Sequence, residues 1–157
     1  MGLTDTFDLA IQLEEKMSEC YKAMCKLCRD EAISKELVRL SYDEIAHADL
    51  LRTGKNYLKE APDLFSLRSE RITEMKIGFN KIIRLIEGVH SKKVDLEEAL
   101  NEAVELERLF EQFHLKTIAE VKDASLKKLF KALSTDDKTH RERLVNIIKS
   151  FYVASVQ

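Results

Sequence analysis

The sequence contains few of the residues that make turns and break helices. Its 157 residues include four glycines, one proline and no tryptophan, whereas leucine, lysine, glutamate and alanine are frequent. Such a composition favours helices throughout and is too poor in turn residues for a β-rich fold. We therefore expect a single all-α domain covering residues 1–157, which is long enough to bury a core.

Long apolar runs and strongly charged segments are also missing. No apolar stretch reaches the length of a membrane span, and residues 1–8 lack the basic start and apolar centre of a signal peptide. The 26 basic and 28 acidic residues are interspersed, giving a net charge of −2. We expect a cytoplasmic protein that binds neither nucleic acid nor membrane.

Cysteine is scarce too, with three residues that all fall in the first predicted helix. An odd number in a protein of the cytoplasm argues against a disulfide framework. Cys25 and Cys28 form a C-x-x-C pair, but the chain has no second pair to complete a four-thiolate metal site. Buried thiols are the expected role.

What the chain does contain is a carboxylate and a histidine three residues apart, twice. Glu44 and His47 recur 93 positions later as Asp137 and His140. On a helix this spacing places both side chains on one face, about 5–6 Å apart, where they can share a metal ion. One such pair would be weak evidence, but two pairs with a common displacement indicate a duplicated site.

The same displacement relates longer segments of the two halves. Residues 10–14 match residues 103–107, so that Glu14 corresponds to Glu107, and Tyr21 corresponds to His114. Each half therefore carries one carboxylate on its first helix and a carboxylate with a histidine on its second. The repeat predicts two helical hairpins, 4–60 and 95–153, joined by a long, partly helical crossover, 61–94, as a four-helix bundle.

Helix signals give approximate boundaries. Thr4 or Asp5 is expected to cap the first helix, which runs to about Arg29, and Ser34 the second, which reaches about Glu60 before Pro62. The crossover is predicted to hold one or two helices, bent or ended near Gly78 and Gly88. Asp95 with Glu98 predicts a capping box for the third long helix, and Asp123 or Ser125 caps the fourth.

The charge of the repeated residues favours metal ions over a structural role. Four carboxylates lie within apolar stripes that contain no lysine or arginine, and burying them without cations costs several kcal/mol each. Two divalent ions balance that charge, and oxygen-rich sites with one imidazole per ion suit iron or manganese. The alternative is that these residues lie on solvated helix faces.

These motifs resemble the rubrerythrin branch of the ferritin-like superfamily. The similarity rests on Leu13-Glu14 with Tyr21, on Glu44-x-x-His47, on Glu107 and on Asp137-x-x-His140, and it covers the chain outside the crossover. It implies a ferritin-like bundle with a non-haem di-iron site, which reduces hydrogen peroxide or dioxygen while oxidising ferrous iron. Since the four-cysteine rubredoxin domain is absent from the sequence, a separate protein would donate electrons.

By this resemblance, six residues are the expected metal ligands. Glu14 and His47 would serve one ion, Glu107 and His140 the other, and Glu44 and Asp137 would bridge them. Two iron ions are expected, with manganese or a mixed pair as the alternative. Asp137 is one methylene shorter than the glutamate usual at its position in the family.

Further residues are expected around the ligands. Tyr21 is the candidate catalytic residue and would hydrogen-bond to a ligand carboxylate. Asp43 and Asp136, one turn before the histidines, would accept their second N–H groups or, alternatively, lie on solvated helix faces. His114 is expected to donate to a ligand or, alternatively, to be an extra ligand. Phe110 occupies the place of a glutamate typical of peroxidase members, and Glu111 is a less well directed substitute.

The sequence leaves two other functions open. One is a ferritin-like protein that binds or stores iron without peroxidase turnover, and the other is a helical interaction module with a degenerate metal site. Apolar residues on the crossover and the last helix also make a homodimer an expectation.

Overall fold

The structure is a computed structural model that describes residues 3–64 and 67–156, with side chains for 5–64 and 67–153. Over these residues the chain forms helices and contains no strand, which confirms the all-α prediction. The α-helices are α1 (Leu3–Leu27), α2 (Glu31–Glu60), α3 (Ser69–His90), α4 (Leu96–Glu120) and α5 (Ala124–Val156), with a 3₁₀ turn at Pro62–Leu64 between α2 and α3.

Four of these helices form the bundle. Helix α1 packs along α2, α4 packs along α5, and α2 also meets α5. Within the first hairpin, the Ser18 hydroxyl donates to the Ser41 carbonyl at 2.8 Å, and Lys55 bonds to Asp8 at 2.5 Å. These contacts pair the end of one helix with the start of the other, so the two helices run antiparallel.

The crossover is one continuous helix, α3, which lies against α1 and α4. The predicted helix end near Gly78 was therefore wrong, whereas the one near Gly88 is confirmed, because α3 ends at His90. A Cβ at Gly78 would lie 3.3 Å from both Leu109 Cδ2 and Phe110 Cε1. This glycine lets α3 approach α4 closely, and it does so without interrupting the helix.

The capping residues were predicted in part. Asp95 and Glu98 form the expected capping box, and Asp123 accepts from the Leu126 amide at 2.9 Å, so Asp123 and not Ser125 begins α5. The cap predicted at Ser34 was wrong, because the Asp30 side chain accepts from the Ile33 amide at 2.9 Å and starts α2 earlier. An aspartate just before the helix satisfies an orphan amide as well as a serine does.

The thiols follow their sequence prediction in part, because burial is expected for all three. Cys20 is buried, Cys25 and Cys28 are half-buried, and all three are free. No helix within the described ranges is long and apolar enough to cross a membrane.

The core between the helices is mainly apolar, and it contains a cluster of charged and titratable side chains. Tyr21, Met17, Leu40 and Leu133 are among its fully buried members. No lysine or arginine is buried among the residues whose side chains are described. The buried titratable cluster consists of Glu14, Glu44, His47, Glu107, His114, Asp137 and His140.

Candidate metal centre

Helices α1, α2, α4 and α5 each contribute to this cluster at mid-length. The structure brings all six predicted ligand residues together in the bundle core, and none is more than 4 % exposed. They converge because each occupies an inward position of its helix, where its neighbours on the stripe are apolar. The predicted ligands are Glu14, Glu44, His47, Glu107, Asp137 and His140.

Glu44 lies at the centre of the cluster, between the two histidines. Its Oε2 is 3.4 Å from His47 Nδ1, and its Oε1 is 2.8 Å from His140 Nδ1. The two imidazole rings stack with centroids 5.1 Å apart and an angle of 17°. Ligand atoms of these three residues all lie within 4.8 Å of one another, a spacing that a metal ion can occupy.

Each histidine also faces the glutamate from the first helix of its own half. His47 Nδ1 is 3.5 Å from Glu14 Oε2, and His140 Nδ1 is 3.5 Å from Glu107 Oε1. The cluster thus has two ends, Glu14 with His47 and Glu107 with His140, and Glu44 lies between them. These are the residue pairs that the sequence assigns to two separate metal positions.

Asp137 is buried with the others but makes a different contact. Its Oδ2 accepts from His114 Nδ1 at 2.6 Å. Where Glu44 meets both His47 and His140, the carboxylate of Asp137 meets His114 instead. His114 is therefore a hydrogen-bond donor to a predicted ligand, one of the two roles expected for it.

Tyr21 makes the hydrogen bond expected of it. Its hydroxyl donates to Oε1 of Glu107, which lies on α4, across the bundle. Burial and the negative charge of Glu107 raise the pKa of Tyr21 well above its usual value of 10. The phenol consequently keeps its proton at neutral pH.

Asp43 and Asp136 contact the outer nitrogens of the histidines, but in crossed pairs. Asp136 Oδ2 is 3.2 Å from His47 Nε2, and Asp43 Oδ2 is 3.5 Å from His140 Nε2. The sequence suggested pairing within each helix. Because α2 and α5 run antiparallel, the aspartate one turn before each histidine instead faces the histidine of the other helix.

Arg143 completes one of these crossed pairs and was missed from the sequence. It donates to Asp43 Oδ2 at 2.7 Å and also bonds to Glu36. Its position three residues after His140 was the available signal, since that spacing places both on one side of α5.

Glu111 does not join the cluster. Its Oε2 lies 2.7 Å from Arg141, so the predicted substitution for the missing glutamate was wrong. Phe110, three residues after Glu107, is buried against the crossover helix near Gly78. The direction of Glu111 from α4 points it towards α5 and its arginine instead of the centre.

The hydrogen bonding of the buried polar atoms indicates whether the cluster suits metal ions. Several of them make no hydrogen bond within the described part of the chain, although they contact one another. Leaving such atoms unpaired costs about 1–3 kcal/mol each, and a cation shared between them removes that cost. The unpaired atoms are Glu14 Oε2, both oxygens of Glu44, Glu107 Oε2, Asp137 Oδ1, and Nδ1 of His47 and His140.

Without metal, protons shared among the same groups moderate the charge. Burial on its own lowers the pKa of His47, but contacts with Glu14 and Glu44 outweigh it and raise the pKa to about 12. Burial, with the charge of Glu107, raises the pKa of Glu44 well above its usual value. Metal ions would displace these protons, as they do wherever ligands must be deprotonated.

The cluster has an opening to solvent between α2 and α5. A cavity of about 180 Å³ reaches the outer side of both histidines. It is large enough for a few water-sized molecules and is lined by Asp43, Ala46, His47, Asp136, Thr139, His140 and Arg143.

Comparison with known proteins identifies the family of the chain. The family model described as rubrerythrin matches residues 5–148. No match to a curated protein or to a solved structure was found. Since the family match spans both hairpins and every predicted ligand, the chain belongs to the rubrerythrin family.

Proposed function

We propose that this protein binds two iron ions in the buried cluster and reduces hydrogen peroxide or dioxygen as ferrous iron is oxidised. The observation that carries the proposal is the set of unpaired buried carboxylate and imidazole atoms, from four helices, with no buried lysine or arginine among the described residues. Manganese or a mixed pair satisfies the same donor set. Membership of the rubrerythrin family supports iron.

The geometry supports an assignment of each ligand to one ion or to both. Glu14 and His47 would hold one ion, and Glu107 and His140 the other, because these residues face each other in pairs. Glu44 is placed to bind both ions, since each of its oxygens faces a different histidine. An iron pair held there supplies two electrons and Lewis acidity for cleaving an O–O bond.

The surrounding residues orient the ligands and admit a small substrate. Tyr21 keeps a proton on its hydroxyl and donates it in a hydrogen bond to Glu107. Asp136 and Asp43 face the outer nitrogens of the histidines and so favour one ring orientation. The cavity between α2 and α5 has room for hydrogen peroxide or dioxygen.

Electrons would come from a separate protein. The chain has three cysteines, too few for a four-cysteine iron site of its own. The opening of the cluster lies at the outer surface of α2 and α5, where Asp136 is 57 % exposed. A donor protein that docks over this surface would have the shortest path to the histidines.

One observation favours a second candidate, a ferritin-like protein that oxidises and retains iron without peroxidase turnover. Phe110 is buried where peroxidase members are expected to carry a further glutamate, and Glu111 pairs with Arg141. The cluster therefore lacks one carboxylate that the peroxidase members are expected to carry.

Anaerobic iron loading followed by rapid mixing with oxidant separates these functions. Two irons per chain, with faster oxidation by hydrogen peroxide than by dioxygen and repeated turnover with a reductant, support the peroxidase. Faster oxidation by dioxygen with ferric iron retained supports the storage protein. A chain that holds no metal after reconstitution contradicts both.

Matched glutamate variants show whether the cluster is responsible. Glu14→Gln should abolish most of the oxidation, whereas Glu15→Gln should leave it unchanged, because Glu15 is a partly exposed partner of Arg52. Equal effects of the two substitutions would place the iron elsewhere.

A further inference from the structure

The two halves of the site differ in how their first helices support the ligands. Tyr21 on α1 donates to Glu107 on α4. The repeat places His114 on α4 at the position equivalent to Tyr21, so symmetry would pair it with Glu14. Instead, His114 Nε2 is 3.9 Å from Glu14 Oε1, beyond hydrogen-bond distance, and Nδ1 bonds to Asp137 at 2.6 Å.

The ring of His114 is held in this orientation by its surroundings. The side chain is 2 % exposed. Its ring lies edge-on to Phe113, with centroids 5.3 Å apart, and 5.9 Å from the ring of Phe130. A buried ring packed between aromatic side chains has little freedom to turn towards Glu14.

The hydrogen bond leaves Asp137 with fewer free atoms than its counterpart Glu44. Each oxygen of Glu44 faces a different predicted histidine ligand, Oε1 at 2.8 Å from His140 Nδ1 and Oε2 at 3.4 Å from His47 Nδ1, so both are directed at the predicted metal positions. Asp137 has one oxygen without a hydrogen bond, Oδ1, because Oδ2 accepts from His114. The aspartate side chain is also shorter by one methylene, which limits how far a single carboxylate can reach.

We propose that His114 is a positioning residue that holds one oxygen of Asp137, so that Asp137 offers the metal pair a single oxygen and does not bridge. Glu44 is then the bridging carboxylate, and the two metal positions are unequal. This inference rests on the proposed metal site and deepens it. An outer partner of a metal ligand changes metal affinity by about 10–100-fold, so the difference is measurable.

Titration of the metal-free protein with Mn²⁺, followed by calorimetry and electron paramagnetic resonance, tests the proposal without any activity assay. The wild-type protein should bind two ions in separate steps, with dissociation constants that differ by about tenfold or more. His114→Leu frees Oδ2 of Asp137 and should bring the two steps together. His114→Asn retains an N–H donor near the position of Nδ1 and should keep them apart.

The outcomes distinguish this inference from the proposed function. A wild-type protein that binds no Mn²⁺ overturns both. Two ions bound with equal affinity, or a His114→Leu variant that titrates like the wild type, overturn the role of His114 alone. If His114→Leu and His114→Asn both lose an ion or bind it equally weakly, His114 is itself a ligand through Nε2, and the positioning role is wrong.

A crystal structure of the Mn²⁺-loaded wild-type protein decides the matter even if the leucine variant does not fold. The proposal is supported if one oxygen of Asp137 binds a metal ion and the other accepts a hydrogen bond from His114. Both oxygens on metal ions contradict it.

Discussion

The hairpin α1–α2 and the hairpin α4–α5 bring equivalent residues to the centre but support them differently. The positions that carry a carboxylate or a histidine towards the centre are occupied in both halves, and they converge there. The positions around them have diverged, and the differing pairs are Tyr21 with His114, Glu44 with Asp137, and Leu50 with Arg143. The duplication thus keeps the metal-binding geometry while the residues that orient it change.

This divergence gives the two halves unequal roles. Glu44 contacts both histidines, whereas Asp137 contacts only His114 among the imidazoles. The outer nitrogen of His140 faces Asp43, which Arg143 holds, but no arginine takes the equivalent place beside Asp136 and His47, where the chain has Leu50. The two repeated halves therefore present an asymmetric set of donors.

Removing each central carboxylate in turn is the most direct test of whether the two halves contribute unequally to metal binding. Glu44→Gln should lower the metal content from two ions to less than one per chain, because both positions lose a ligand. Asp137→Asn should leave about one ion bound, since it offers a single free oxygen. Metal content after loading and dialysis measures both, and the loss of affinity in Glu44→Gln should exceed about a hundredfold.

Glu105→Gln is the matched control, because Glu105 is 62 % exposed and pairs with Arg108. It should bind as much metal as the wild type. Equal metal loss in Glu44→Gln and Asp137→Asn would mean that both carboxylates bridge.

Exchanging the lengths of the two carboxylates should have a smaller effect. Glu44→Asp withdraws its oxygens from both histidines and should weaken both ions by about tenfold. Asp137→Glu adds a methylene at a position with no exposed surface, which should lower the free energy of unfolding by about 1–3 kcal/mol without loss of metal. Calorimetric titration and thermal melting give the two quantities, and a tighter second ion in Asp137→Glu would show that only length keeps Asp137 from bridging.

Much of this asymmetry could not be predicted from the sequence. The repeat of 93 residues located Glu14, Glu44, Glu107 and the histidine pairs, because inward positions on helices follow a fixed period. The bundle itself follows from the same pattern. The helical period does not specify the direction in which each side chain points across the bundle.

The crossed pairs of Asp43 with His140 and of Asp136 with His47 illustrate this limit. Both aspartates were predicted from spacing within one helix, but their partners depend on the antiparallel register of α2 against α5. Likewise, the contact of Glu111 with Arg141 and the unbroken helix through Gly78 depend on which surfaces meet. These are properties of tertiary packing, which local sequence does not encode.

Arg143 and its counterpart Leu50 allow a test of how the residues around the ligands affect stability and metal affinity in the two halves. Arg143→Leu gives the second half the leucine that the first half has at position 50. It also removes the partner of Asp43 and Glu36. The side chain is 25 % exposed, so we expect a loss of about 1 kcal/mol in unfolding free energy. Affinity for one ion should also fall, by up to about tenfold, because Asp43 would orient His140 less firmly.

Arg108→Leu removes the same charge at an exposed pair with Glu105 and should change neither quantity. If Arg143→Leu lowers stability but leaves both Mn²⁺ affinities unchanged, Arg143 only ties α5 to α2 and does not act on the site.

The smallest effect is expected where the repeat differs in packing, at Gly54, whose counterpart is the buried Ile147. A Cβ at Gly54 would lie 2.8 Å from Leu129 Cδ1 and 3.0 Å from Phe7 Cε1. Gly54→Ala gains about 1 kcal/mol of helix propensity but overpacks this contact by about 1–3 kcal/mol, for a net loss of about 1 kcal/mol. Thermal melting against the exposed neighbour variant Thr53→Ala measures the difference, and a higher melting temperature for Gly54→Ala would show that α5 can move away. Metal affinity should stay unchanged in both variants, because Gly54 lies two turns beyond His47. The packing of the hairpins can therefore differ without disturbing the ligands that the repeat preserves.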